Sequence, residues 1–408
     1  MVCAAALWLH SSAPSHSDIH TRELLNPFQP DLPPKPVFIE AESETPLQRY
    51  TRHVNSFPKA LRDVFESVLY SDYPEDTVDV TDANLSDEDL KQLLHLLRHY
   101  NNVSTVVLAG NKLSAERVRE LMAALATQKT VEDLDLADCG LDEEGVQALC
   151  EALPRLTGLQ QLRISRNHLS PTALAKIFRA LKGSQLTCLW ASHNTMGREA
   201  SQAFSELLET TKLEILALSQ SQITAECVHL FAENLRKCRT LKQLLVNNNP
   251  LFTTGVQLLC LNLPWSVECL DVSEVGMGRE AAKSLGLGIA SLWRIHTLRL
   301  DRNSIGDEGL QSITSSLLKH EKLRHFSAAT NDITQLGGNL IVSLLMRVND
   351  LRTLRLADNR LGEIGMHIVD YLRNIRHLDF RQCRMYSHFA LKREYEFALL
   401  DLTTDVDF

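Results

Sequence analysis

Four groups of residues in this chain have the type and spacing to do chemistry, and each has a plainer reading beside it. His95 and His99 stand four apart in a helical pattern, which puts both imidazoles on one helix face. No HExxH glutamate accompanies them, so they read as a surface pair. Gly286-Leu-Gly288 lacks the third glycine of a dinucleotide loop and falls in a helical segment. Asp87-Glu88-Asp89, Asp142-Glu143-Glu144 and Asp307-Glu308 are candidate metal carboxylates. They also open helices, where negative charge favours the helix dipole, and that reading takes precedence. Nine cysteines are present: Cys3, Cys139, Cys150, Cys188, Cys227, Cys238, Cys260, Cys269 and Cys383. Their number is odd and none forms a CxxC pair, so they read as small core residues of a reducing compartment rather than a disulfide framework. There is no Walker A sequence, and no Ser–His or Cys–His pair has a recognisable local context. The expectation is a protein without catalytic residues, cofactor or metal.

Composition agrees with a folded chain. Of 408 residues, 44% are apolar and 23% charged, with a net charge of −9 from 42 basic and 51 acidic side chains. Wholesale disorder is excluded. A nucleic-acid partner held by a generally basic surface is disfavoured. No apolar run reaches the ~18–20 residues of a membrane-spanning helix, so no membrane insertion is expected. The short apolar run Ala4–Leu9 has no preceding Lys or Arg. It reads as a packed or cytosolic terminus rather than a signal peptide, and the expected location is cytoplasmic.

What must position any site is a repeat. Val103-Ser-Thr-Val106-Val-Leu108-Ala-Gly-Asn111-Lys-Leu113 is followed by Val131-Glu-Asp-Leu134-Asp-Leu136-Ala-Asp-Cys139-Gly-Leu141, then by Leu159-Gln-Gln-Leu162-Arg-Ile164-Ser-Arg-Asn167-His-Leu169. The second apolar position recurs as Val78, Val106, Leu134, Leu162, Leu189, Leu216, Leu244, Leu270, Leu298, Phe326, Leu354 and Leu378. The spacing is 28 residues at most steps, and 24 at the last. Each LxLxxN segment alternates like a strand, and the second half of each copy is helical. Ser170-Pro171 is an N-cap followed by proline at the first helical position, with Leu174, Ile177, Phe178 and Leu181 as the apolar stripe.

This LxxLxLxxN/CxL pattern is that of leucine-rich repeats. The period and the full helix per copy, above all Asn303-Ser-Ile305-Gly-Asp-Glu-Gly309-Leu-Gln-Ser-Ile313, resemble the ribonuclease-inhibitor subfamily. The resemblance covers roughly residues 75–385. It implies an α/β horseshoe solenoid of about 12 repeats, with a parallel sheet on the concave face and helices on the convex face.

The register asparagines Asn111, Asn167, Asn194, Asn249, Asn303, Asn331 and Asn359, with Cys139 and Cys383 in the same position, are expected to be structural. Each must satisfy backbone groups where the chain leaves its strand. Ala83, Ser221 and Val275 depart from the rule and should mark weaker turns.

Strand residues flanking the buried markers should line the concave face. That face starts acidic at Asp133 and Asp135, passes an apolar centre, and ends mixed with Asp301, His325, His377, Asp379 and Arg381. The expected partner-binding residues are Arg163, Trp190, His193, Leu245, Arg299, Arg302 and Arg355, with Arg163, Trp190 and Leu245 foremost. Trp and Arg are the common hot spots of interfaces.

The ends differ in kind. Residues 1–45 carry Pro14, Pro27, Pro30, Pro33, Pro34 and Pro36 and read as an extended arm, with plain disorder, a polyproline ligand or ordering on a partner left open. Residues 46–74 read as a helical cap through Leu47, Tyr50, Val54, Phe57, Leu61, Val64, Phe65 and Val68; a membrane-surface helix is the sharper alternative. Residues 386–408 should form the other cap and tail. The functional expectation is a protein-interaction scaffold, a subunit of a hetero-complex with protein partners, by analogy cytoskeletal or ciliary. A GTPase activator resembling the Ran-type proteins and a stoichiometric inhibitor resembling ribonuclease inhibitor are the alternatives.

Overall fold

A computed structural model describes residues 57–70, 76–100, 102–362 and 377–379. They lie within one structural unit, Pro36–Tyr386. The proline-rich arm 1–45, the first part of the amino-terminal cap, Cys383, Arg381 and the carboxy-terminal cap lie outside the described residues.

Among the described residues the strands are β1 (Thr77–Asp79), β2 (Thr105–Val107), β3 (Asp133–Asp135), β4 (Gln161–Arg163), β5 (Cys188–Trp190), β6 (Ile215–Ala217), β7 (Gln243–Leu245), β8 (Cys269–Asp271), β9 (Thr297–Arg299), β10 (His325–Ser327), β11 (Thr353–Arg355) and β12 (His377–Asp379). The helices are α1 (Lys59–Tyr70), α2 (Asp87–His99), α3 (Ala115–Leu125), α4 (Glu143–Ala152), α5 (Pro171–Ala180), α6 (Gly197–Thr210), α7 (Ala225–Lys237), α8 (Phe252–Leu261), α9 (Gly278–Ile289), α10 (Gly306–Leu317) and α11 (Gln335–Arg347). The strands form one parallel sheet in chain order. Every apolar marker is the central residue of its strand, and the markers pair with one another, Val106 with Leu134, Leu134 with Leu162 and so on. The repeat therefore sets the register, because a slip by one residue would turn each marker out of the core.

The markers and the inner helix faces make one continuous core. Leu134, Leu162, Leu189, Leu298 and Leu354 are fully buried. Phe178, Phe204 and Phe231 from α5, α6 and α7 pack ring against ring at 5.5 and 5.3 Å. At the described end of the amino-terminal cap, Phe57, Leu61, Val64 and Phe65 are buried, and Phe57 packs on Phe65 at 5.2 Å.

Helix starts follow the sequence signals. Ser86 and Asp89 form a capping box, and Asp142 accepts from the Gly145 N–H at 2.7 Å. Asp307 lies in the first turn of α10 and takes a further role. Its carboxylate serves the following helix, accepting from the N–H groups of Thr334 at 2.8 Å and Gly337 at 3.0 Å.

The asparagines form a ladder between repeats. Asn303 Oδ1 accepts from the N–H groups of Val275 and Met277 at 3.0 and 3.3 Å. Its Nδ2 donates to the carbonyls of Val272 and Leu300 at 2.7 and 3.0 Å. Asn167, Asn249 and Asn359 repeat the same four-bond arrangement. Asn331 accepts from the Asn303 N–H at 2.9 Å. Cys139 replaces only the donor half, its thiol reaching the Leu108 carbonyl at 3.3 Å. Val275 has no side-chain donor for the preceding turn, and only its carbonyl reaches that turn, accepting from the Phe252 N–H at 2.9 Å. There the Leu251 N–H bonds to the Asn249 carbonyl at 2.8 Å, and Phe252 takes a positive φ of 50°.

Candidate interaction surface

The face of the sheet away from the helices carries the residues on either side of each marker. Pairing across strands places Asp135, Arg163, Trp190, Ala217, Leu245, Asp271, Arg299, Ser327 and Arg355 in one row. Five of the seven expected contact residues thus fall on one line across the sheet.

The row has two preorganised clusters. In the first, the Arg163 guanidinium pairs with Asp133 and lies 4.0 Å from Asp135. Its Nη2 donates to Gln161 at 3.2 Å, and its centre stands 4.2 Å from the Trp190 ring centroid. Trp190 is only 8% exposed, because Arg163 lies across its ring. Its indole Nε1 is buried and has no hydrogen-bond partner among the described residues. In the second cluster Arg299, half-buried, stands 3.8 Å from the buried Asp271. Burial pushes the Asp271 carboxyl up, while Arg299 pulls it down. Ser327 Oγ and the Ala329 N–H donate to Asp301 at 2.5 and 2.7 Å.

His325 bonds Thr353 through Nδ1 at 3.0 Å. Its pKa is pushed down to about 4 by burial first, then by His296, Arg299, Arg352 and Arg324. Arg355 and Leu245 are half-buried.

The other two expected residues lie elsewhere. His193 and Arg302 occupy the turn before the register asparagine, with φ of 58° and 55°. Arg302 is exposed and pairs with Glu274 at 2.7 Å; His193 is half-buried, and burial lowers its pKa. Both flank the LxLxxN core in sequence, which predicts the strand face. The backbone has already turned out of the sheet at that point.

Other chemical candidates resolve into packing. His95 is buried rather than a surface residue, with its ring 4.1 Å from His99, whose Nδ1 lies 2.9 Å from the His95 carbonyl oxygen. The described cysteines are free thiols, all buried but the half-buried Cys150, and burial raises Cys139 and Cys260 to about 12. Gly286 and Gly288 are close-approach points, where a Cβ would stand 2.7 Å from the Ser312 carbonyl oxygen and 2.9 Å from that of Cys260. Among the described residues no three His, Cys, Asp or Glu side chains could hold a metal, and no helix is long and apolar enough to cross a membrane.

A tryptophan pair lies apart from all of these candidates. Trp265 and Trp293 stack at a centroid distance of 6.3 Å with rings 9° apart, and are 44% and 51% exposed. They stand one repeat apart, as the residues of β8 and β9 do, so the period itself was the signal.

The family model described as Leucine Rich repeat matches residues 127–150 and 295–313. Ribonuclease inhibitor of Mus musculus is 30% identical over 140 residues, which cover 33% of this chain and 31% of that protein. The match therefore spans about a third of the relative's length. A solved internalin of Listeria monocytogenes superposes with a TM-score of 0.50 at 16% identity, covering 86% of this chain and 95% of the other. A chain of the yeast Rad7 and Elc1 complex gives a TM-score of 0.44 at 16% identity over 84% and 92%. Strand order and helix alternation agree with the likeness to the internalin in fold. The chain has the leucine-rich-repeat fold, and its repeats are similar to those of ribonuclease inhibitor.

Proposed function

We propose that this protein is a non-enzymatic interaction scaffold, a subunit of a larger protein assembly, and that it binds through the open face of its sheet. The observation that carries this reading is the row from Asp135 to Arg355. Twelve strands at about 4.8 Å give a surface of about 50 Å, suited to a protein rather than a small molecule. The Arg163, Trp190 and Arg299 side chains of the row are already held by their neighbours, which lowers the ordering cost of association. On this reading the arm 1–45 is a second attachment point, and a cytoplasmic assembly, cytoskeletal or ciliary, is the proposed setting.

The experiment is affinity capture of the tagged full chain with quantitative mass spectrometry, beside the variants Leu245→Lys and Arg355→Glu. A fixed stoichiometric set of partners, lost from both variants, supports the open face. An unchanged set from both variants excludes it.

The similarity to mouse ribonuclease inhibitor supports a second reading, a stoichiometric enzyme inhibitor. Titration of a pancreatic-type ribonuclease with this protein tests it. A sharp equivalence point supports inhibition, and undiminished activity at excess protein removes it.

A further inference from the structure

The stacked tryptophans lie at the edge where chains enter the sheet, beside a cavity of about 220 Å³. The cavity is lined by Glu268, Arg294, His296, Lys322 and Arg324. Three full cations therefore face one carboxylate. That carboxylate is engaged on one side, with Glu268 lying 3.8 Å from Arg294 and 3.9 Å from His296. Lys322 and Arg324 have no carboxylate within 4.0 Å among the described residues. The repeat builds the row. The His296 N–H donates to the Glu268 carbonyl, Arg324 to His296 and Arg352 to Arg324, at 2.9, 2.8 and 2.7 Å, so these side chains sit on successive rungs. Above them the Trp ledge is bracketed by charge, with Arg294 4.5 Å and Lys322 5.7 Å from the Trp293 centroid.

Two large indoles stacked face to face in solvent give the fold nothing that burial would, and Trp beside Arg is the composition of interface hot spots. We infer that this edge is a docking site for an acidic, aromatic-bearing segment of a partner protein, its carboxylates on Lys322 and Arg324 and its aromatic side chain on the Trp265–Trp293 ledge. Charge complementarity selects the occupant. The site is locally basic in a chain of net charge −9, so a short acidic segment is attracted while an extended polyanion meets repulsion beyond the ladder. A nucleic-acid strand would also bring phosphates against Glu268, and it draws its affinity from many phosphate contacts. The site lies at the strand-entry edge, where Glu268, His296 and Arg324 each precede a residue of the row by three positions.

The test is a titration of the full-length protein with a fluorescein-labelled, acetylated peptide Glu-Glu-Tyr-Glu-Glu-Tyr-Glu-Glu, read by anisotropy, with decauridine RNA as the competing probe. Peptide binding in the micromolar range, weakened about tenfold or more by Trp293→Ala and by Lys322→Glu combined with Arg324→Glu, is the expected result. Trp293, Lys322 and Arg324 are all exposed, so the folded state is retained and is checked by the urea midpoint. Lys322→Arg should keep the affinity within about twofold, and Leu245→Lys should leave it unchanged, which separates this edge from the open face. Absent binding, equal binding by the charge-reversed and tryptophan variants, or tighter binding of decauridine would overturn the inference.

Discussion

The guanidinium of Arg163 stands 4.2 Å from the ring centroid of Trp190, on the neighbouring strand, and is held there by an ion pair with Asp133 on the strand behind. One side chain thus links three repeats and lies over an indole that would otherwise be open to solvent. Any partner at this point meets the edge of a closed stack, not a free tryptophan.

Arg163→Ala should lower stability by about 1–2 kcal/mol, since it removes a partly buried cation–π contact and leaves Asp133 unpaired. Trp190→Phe should cost less, and the double variant should cost less than the sum. Urea unfolding of all four proteins checks this, and strict additivity would show that the contact carries no coupling energy.

The asparagine ladder predicts a rank order. Asn303, Asn167, Asn249 and Asn359 each serve two backbone donors and two carbonyls, so alanine at these sites should cost about 3 kcal/mol. Asn111 and Asn194 each accept from one N–H, from Leu85 and Leu169, and should cost less. Thermal or urea midpoints of the six alanine variants give the order directly.

Gly286→Ala should destabilise by about 1–3 kcal/mol despite alanine's better helix propensity. The added methyl would meet the Ser312 backbone on α10, which can move away only by displacing a helix. A raised urea midpoint in this variant would refute the close approach.

Acid should weaken the fold through His325. Its pKa falls from the ordinary 6.5 to about 4 on folding, so the unfolded chain binds more protons between those values. Stability is then full above pH 6.5 and declines as pH falls toward 4, by about 2 kcal/mol after allowance for the ring's partial exposure. His325→Gln should flatten that decline without changing its midpoint at pH 8 by more than the loss of one hydrogen bond. Urea midpoints across the pH range measure both.

How much of this was readable beforehand varies with the kind of residue. The markers from Val78 to Leu354 were located to the residue, because a period-two strand and a buried stripe leave no second register. The register asparagines were also legible, since an obligate polar group at a fixed place in an apolar repeat must answer to the backbone. Asp307 stands in the first turn of its own helix, as its place in the sequence predicts, and its carboxylate also serves the next helix, which the sequence does not show. The sequence pattern displays Trp190 on the open face and puts His95 at the surface, whereas the structure covers the first and buries the second.

The sequence alone therefore determined the repeat, its register, the alternation of strand and helix, and the family resemblance, all of which follow from local pattern repeated along the chain. Tertiary structure decided which side chains meet. Arg163 finds Trp190, Asp307 caps α11, and Trp265 stacks on Trp293, each between residues about one repeat apart. Stacking the repeats brings such positions within a strand spacing of each other, whereas the choice among rotamers and partners depends on neighbours on both sides. That choice, rather than the solenoid, sets the open face and the tryptophan edge of this protein.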